Sequence, residues 1–238
     1  GSEMCIRDRD NYSYAIIDEN SQSACIVDPS ESGPIIDFID NNKIDLKYIL
    51  NTNHHHDHIG GNLELKKKYN CDVIGFKDDK DRIPGINVLV ENNQIWQKDN
   101  FEAKIYHTPG HTSGHIAFHF FKEKVIFTGD TLFSLGCGKI FEGTYEQMFN
   151  SLKIFKKLPK DTLIYCGHEY TLKNSEFCLL NDPDNLKLKE KVLKIKKNLK
   201  VNSPTIPSVL DEELECNIFL KAEDIETFSK LRDLKDNF

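Results

Sequence analysis

The sequence predicts an α/β protein dense in β-structure, two sheet layers thick, with a helical region appended after residue 170. Three observations carry this. As far as Tyr170, short apolar runs alternate with amphipathic stretches of helical spacing; from residue 171 the chain turns rich in lysine and leucine; and a histidine or aspartate stands directly after several of the apolar runs. At 238 residues the chain is long enough for one large domain, or one with a small appendage, and 39% hydrophobic against 29% charged residues fits a packed core rather than disorder.

In chain order, YSYAIIDENSQSACIVDP from Tyr12 reads as two short strands around a Glu-Asn-Ser turn, closed by a proline. GPIIDFIDNNKID has helical spacing with proline early and an Asn-Asn stop, and LKYILNT returns to a buried strand. NLELKKKY is a short helix and CDVIGF a strand; further short strands follow as far as Asn100. FEAKIYHTP, HIAFHFF and KVIFTGD are three more strands, YEQMFNSLKIFKKL is an amphipathic helix, and DTLIYCGHEY is a strand ending in a histidine. Residues 171–200 are helical, with KIKKNLK as a solvated face; Pro204 and Pro207 mark a loop, and AEDIETFSKLRDLKDNF is a last helix.

The expected division is therefore 1–9, 10–170 and 171–238. Residues 1–9 are read as foreign: GlySer resembles a cloning scar and EMCIRDR the translation of a transposase adapter, so that an opening strand of the natural chain is expected to be missing. The net charge of −7 disfavours a nucleic-acid partner, and no apolar run approaches the roughly 20 residues of a membrane span. Seven cysteines without a CxxC spacing do not suggest a disulfide framework and point to buried free thiols in a reducing, cytoplasmic setting. No obligate protein partner is inferred.

All nine histidines fall at 54–58, 107–119 and 168. Imidazole and carboxylate together are the donor set of zinc and related divalent metals. NTNHHHDHIGG follows one strand, TPGHTSGH places His111 after a Pro-Gly turn, FTGDTLF places Asp130 after another strand and CGHEY repeats the device with His168. Such positions can converge on one sheet edge, where open α/β sheets bind their ligands. His107, His115 and His119 are read as packed or solvent-facing.

These segments, together with CGKIFEGT at 137–144, GHEYT at 167–171, PTIPSVLDEELECNIFL at 204–220 and LRDLKDNF at 231–238, resemble the metallo-β-lactamase superfamily and, within it, the glyoxalase II or hydroxyacylglutathione hydrolase family. The resemblance runs from about residue 10 to the end. It implies an αββα sandwich followed by a C-terminal helical substrate-binding domain. It also implies two divalent metals, zinc first with iron or manganese as alternatives, bridged by Asp130. His55 and His111 would serve the first metal, and Asp57, His58 and His168 the second.

The family pattern T-H-x-H-x-D-H meets an asparagine in this chain, so that Asn53 stands where the first metal's first histidine is expected. A neutral amide oxygen is a poorer donor than imidazole. Three arrangements are open: Asn53 as a weak ligand, His54 or His56 as a substitute, or a first site partly empty.

The implied reaction is hydrolysis of S-D-lactoylglutathione to D-lactate and glutathione by a hydroxide generated on the metal, with Asp57 and Asp130 in the catalytic centre. Lys139, Phe141, Tyr170, Arg232 and Lys235 match the family's glutathione-contacting positions, with Phe141 where a tyrosine is common. Arg232 is one of only two arginines outside the adapter-like start, and a guanidinium can grip a carboxylate bidentately. The alternatives are another hydrolase of the superfamily, or a glutathione-thioester-binding protein whose catalysis is impaired at Asn53.

Overall fold

The computed structural model describes residues 2–8 and 11–238. The chain divides into two compact units, the first taking it to His107 and again over Gly114–Glu123, the second taking Thr108–Ser113 and Lys124–Phe238.

In the first unit, β1 (Ser2–Asp8), β2 (Asn11–Ile17) and β3 (Ser23–Val27) run antiparallel. Helix α1 (Ser32–Asn42) then leads to β4 (Asp45–Leu50), short α2 (His56–Ile59) and α3 (Asn62–Tyr69) to β5 (Asp72–Phe76), and β6 (Val88–Val90) completes a sheet of order β1 to β6 whose later strands are parallel. Seven of the residues read as foreign thus form its edge strand, whose pairing runs through backbone groups and asks little of side-chain identity. Residues 1, 9 and 10, Arg9 among them, lie outside the described residues.

Strand β3 is buried at every position because both faces of this sheet are covered. On one face Ile26, Leu46, Ile49 and Val73 pack with Ile35 and Ile39 of α1 and Leu65 of α3. Helix α1 ends where Lys43 enters the left-handed region and its N–H closes on the Asp40 and Ile39 carbonyls. Against the other face lies a meander of β7 (Ile95–Lys98), β8 (Phe101–His107) and β9 (Ile116–Phe120). Tyr48 of β4 joins the layers, its ring 5.3 Å from Trp96 and 6.0 Å from Phe101, its hydroxyl donating to Asp99 at 2.6 Å. The two sheet layers expected from the sequence are present within this unit.

The second unit holds β10 (Val125–Gly129), a hairpin of β11 (Leu132–Phe133) and β12 (Gly136–Cys137), helix α4 (Tyr145–Phe155) and β13 (Leu163–Cys166), which pairs parallel with β10. Thr144 and Gln147 form a reciprocal capping box at the start of α4, which buries Met148, Phe149, Leu152 and Phe155. The helical tail belongs to this same unit.

Residues 171–200 are two helices rather than one, α5 (Thr171–Asn181) and α6 (Leu186–Lys200). Pro183 bars the helical region to Asp182 before it, and Asn185 restarts the helix by accepting the Leu188 N–H at 3.0 Å. After the proline loop come three elements that the sequence pattern does not signal, the two-residue strand β14 (Ser208–Val209) on β13 and the short α7 (Leu210–Cys216) and α8 (Ile218–Lys221). The last helix, α9 (Ile225–Asp236), starts at its Asp224 cap and packs Phe228 on Phe149 and Phe219. Cys25, Cys71, Cys137, Cys166, Cys178 and Cys216 are buried free thiols, and among the described residues no helix is long and apolar enough to cross a membrane.

Candidate active site

Each unit carries its own share of the expected residues. In the first, the histidine segment leaves β4 through Asn51, Thr52 and Asn53, all fully buried. Asp28, at the end of β3, holds it in place: one carboxylate oxygen accepts the Thr52 N–H at 2.8 Å, the other accepts the Thr52 hydroxyl at 2.6 Å and His58 Nδ1 at 2.9 Å. Asp28 itself sits at φ 50°, a left-handed conformation that aspartate tolerates better than most residues. The sequence reading passed over Asp28, although it follows an apolar strand just as Asp130 does.

Because a carboxylate takes its Nδ1 proton, a neutral His58 presents a lone pair at Nε2, and that atom faces Asp57 Oδ2 at 3.8 Å. Asn53 donates to the Thr52 hydroxyl oxygen at 3.1 Å, and its Oδ1 accepts the His55 N–H at 2.9 Å in an Asx turn. That leaves one lone pair on the amide oxygen for any other partner. Of the two proposed substitutes, His54 is flanked by Arg82, 3.4 Å from its Nε2, and by buried Asp79, 3.7 Å from its Nδ1, while His56 is exposed.

In the second unit the structure brings His111, Asp130 and His168 together. All three are at most 5% exposed, and Asp130 Oδ2 lies 3.3 Å from His111 Nε2 and 3.1 Å from His168 Nε2. His111 stands after Gly110, whose φ of 147° and contact with Met148 exclude a side chain. Gly138 has a different constraint: a Cβ there would overlap the Asp130 carbonyl oxygen, so the 137–139 segment can lie against Asp130 only without one.

That close approach sets His111. Its Nδ1 donates to the Lys139 carbonyl at 2.7 Å, and since a carbonyl only accepts, the proton is on Nδ1. The Nε2 lone pair of a neutral His111 then points at a carboxylate oxygen, an arrangement that calls for a cation between them. His58 facing Asp57 repeats the same design, with the outer nitrogen committed to a carboxylate. Histidine and carboxylate donors oriented this way fit a divalent metal.

Beside this cluster lies a cleft of about 290 Å³ whose wall includes Lys139, Tyr170, Lys173, Arg232 and Lys235, with Asp236 as the one carboxylate. Tyr170 stacks on His168 at 4.9 Å, so the cleft wall and the histidine cluster share a surface. Burial, with Arg232 and Lys173 adding repulsion, holds the Lys235 ammonium below the ordinary lysine range. Lys173, on the first turn of α5, was missed by the sequence reading; its spacing of three from Tyr170 on one helix end was the available signal.

Arg232 is 5% exposed, and its guanidinium donates to the Cys137 carbonyl at 2.7 Å and to Asp236 at 2.9 Å. Phe141 is 62% exposed, does not line the cleft and sets its ring edge-on to His111 at 5.2 Å. His107 stacks on Phe76, and His115 and His119 are buried, as packed residues should be.

The family model of the metallo-beta-lactamase superfamily matches residues 7–86 and 99–168, and that of the hydroxyacylglutathione hydrolase C-terminus matches residues 169–238. Among solved structures, ETHE1 from Myxococcus xanthus superposes with a TM-score of 0.75 at 22% identity, covering 98% of this chain and 90% of that one. The BLEG-1 B3 metallo-beta-lactamase gives 0.71 at 20%, covering 93% and 100%. Fold and site together define a protein of the metallo-β-lactamase superfamily.

The hydroxyacylglutathione hydrolase of Pelagibacter ubique (strain HTCC1062) is 61% identical over 97% of this chain and 96% of its own length, and that of Methylococcus capsulatus (strain ATCC 33009 / NCIMB 11132 / Bath) is 40% identical over 96% and 95%. The chain belongs to the hydroxyacylglutathione hydrolase family, the glyoxalase II thioesterases.

Proposed function

We propose that this chain hydrolyses S-D-lactoylglutathione to D-lactate and glutathione in the cytoplasm, with two divalent metals, zinc foremost, held by His55, Asp57, His58, His111, Asp130 and His168. Asn53 would add at most one weak oxygen ligand. When bound, such ions supply the Lewis acidity that polarises a thioester carbonyl and makes water a nucleophile at neutral pH. Asp28 fixes the His58 tautomer, the Lys139 carbonyl fixes that of His111, and half-exposed Asp57 would orient the attacking water and take its proton. Lys139, Lys173 and Lys235 would meet the carboxylates of the glutathione moiety.

One observation carries the proposal: Lys139 orients His111 through its carbonyl and offers its side chain to the cationic cleft, tying reacting centre and substrate grip to one residue. No side-chain nucleophile is needed. Cys137, the thiol at the cleft, is buried and its pKa is pushed up by that burial against the pull of Arg232, so it stays protonated at neutral pH.

The test is metal content per chain after metal-replete purification, alongside hydrolysis of S-D-lactoylglutathione, for the natural protein and Asn53→His. About two metals and turnover in the natural protein support the full assignment. Binding of the thioester without turnover, restored by Asn53→His, would instead identify a relative impaired at that position.

A further inference from the structure

Outside the proposed metal and substrate sites, one carboxylate of the second unit accepts five hydrogen bonds. Glu213 on α7 is fully buried. Its Oε2 accepts the Leu135 N–H at 2.8 Å and Asn217 Nδ2 at 3.1 Å; its Oε1 accepts Lys191 Nζ at 2.7 Å, the Ser134 hydroxyl at 3.1 Å and the Ser208 hydroxyl. Two of these donors, Ser134 and Leu135, form the tip of the β11–β12 hairpin, and Leu135 is held there at φ 57°, a left-handed conformation costly for a leucine.

Asn217 completes the grip, its amide donating to the Gly136 carbonyl at 3.1 Å and the Phe133 carbonyl at 3.4 Å. Arg232 then takes the Cys137 carbonyl at 2.7 Å. The next peptide carbonyl but one, that of Lys139, receives the His111 Nδ1 proton. Residues 133–139 are thus fastened by three side chains of the C-terminal helices, and their far end orients a histidine of the metal-type cluster.

We infer that Glu213, with Asn217, is a positioning residue for His111: the tail acts on the reaction through the 133–139 segment as well as by lining the substrate cleft. The inference rests on the proposed role of His111 as a metal ligand. Without Glu213 the strained Leu135 turn loses its acceptor and Lys191 keeps only half-exposed Glu212, 3.3 Å away, as a carboxylate partner, so the hairpin relaxes and the Lys139 carbonyl leaves its place under the imidazole. Glu213 touches neither substrate nor metal.

The experiment uses the full chain loaded with zinc, compares Glu213→Gln, Asn217→Ala and His111→Ala, and keeps every assay well below each variant's melting temperature. Two quantities are read: the rate of zinc loss to EDTA, and kcat with KM for the thioester. Changing partners that orient a ligand histidine costs 10- to 100-fold in metal affinity or activity. Glu213→Gln and Asn217→Ala should therefore each lose zinc about tenfold faster and lower kcat about tenfold, with the His111→Ala effect at least as large. Folded Glu213→Gln and Asn217→Ala proteins with unchanged zinc loss and kcat, beside an impaired His111→Ala, would overturn the inference alone. An unimpaired His111→Ala would overturn the site assignment beneath it. If Glu213→Gln fails to fold, Asn217→Ala, which keeps the Glu213–Lys191 pair, decides the question.

Discussion

Asp28→Asn separates the structural from the chemical duty of one buried carboxylate. Asparagine is nearly isosteric and tolerates the left-handed backbone at φ 50°, so the substitution adds no backbone penalty. Its remaining oxygen can keep the Thr52 N–H, and its NH₂ group then faces the Thr52 hydroxyl and His58 Nδ1. The hydroxyl can rotate and accept. His58 can meet the NH₂ only by carrying its proton on Nε2, which removes the lone pair that would face Asp57 and a metal.

Losing the charge-assisted character of two buried hydrogen bonds should cost about 1–3 kcal/mol. For a chain of this size that is roughly 2–12 °C in Tm, at about 2–4 °C per kcal/mol. The tautomer change should cost more in function than in stability: about 10- to 100-fold in zinc affinity or kcat. Thermal unfolding and thioester hydrolysis on the same preparation check both numbers. A variant with wild-type turnover and zinc retention would refute the claim that Asp28 sets the His58 tautomer.

Three further outcomes are expected. Lys173→Gln should raise KM for the glutathione thioester about three- to tenfold while leaving kcat within twofold, measured by steady-state kinetics; a fall in kcat at constant KM would remove Lys173 from the substrate grip. Since the folded-state pKa of Lys235 lies below its unfolded value, the unfolded chain binds the proton more tightly, so its penalty on stability is full at lower pH and is relieved as pH rises from the folded pKa towards about 10.4; KM should rise through the same window, and Lys173→Gln should shift that rise to higher pH. Gly138→Ala must push the 137–139 segment off Asp130, and loss of more than about tenfold in kcat is expected, checked against Tm to separate local from global damage.

How much of this was legible in the residues differs by element. The hairpin β2–β3, the strand β4 before the histidine run, helix α4 and the strands ending at Asp130 and His168 follow from short-range pattern, because period-2 and period-3.6 burial repeats and capping residues are local properties. The short elements β14, α7 and α8 were not legible, since two to seven residues hold too little periodicity and their stability comes from tertiary contacts such as that of Glu213 with the Leu135 N–H. The donor types for a metal centre could likewise be read from His111, Asp130 and His168 as residues following strands.

Arg232 shows where the sequence stopped. Composition singled it out and suggested a carboxylate grip, yet its guanidinium is buried against a backbone carbonyl 95 residues away in the chain and against Asp236. Asp28 showed only its place after an apolar strand and Glu213 showed nothing, because each carboxylate acquires its role when folding brings distant donors to it, from 24 and 30 residues away for Asp28 and from as far as 79 for Glu213.

The sequence by itself determined the fold class, the family and the inventory of metal-type donors, along with the replacement at Asn53, since these rest on residue identity and local spacing. Only the tertiary structure decided which nitrogen of His58 and His111 holds the proton, that Asn53 closes an Asx turn, that Lys173 joins the cationic cleft and that the C-terminal helices fasten the segment under His111. Each of these depends on hydrogen-bond directions and desolvation between residues far apart in the chain, and a linear pattern does not encode them.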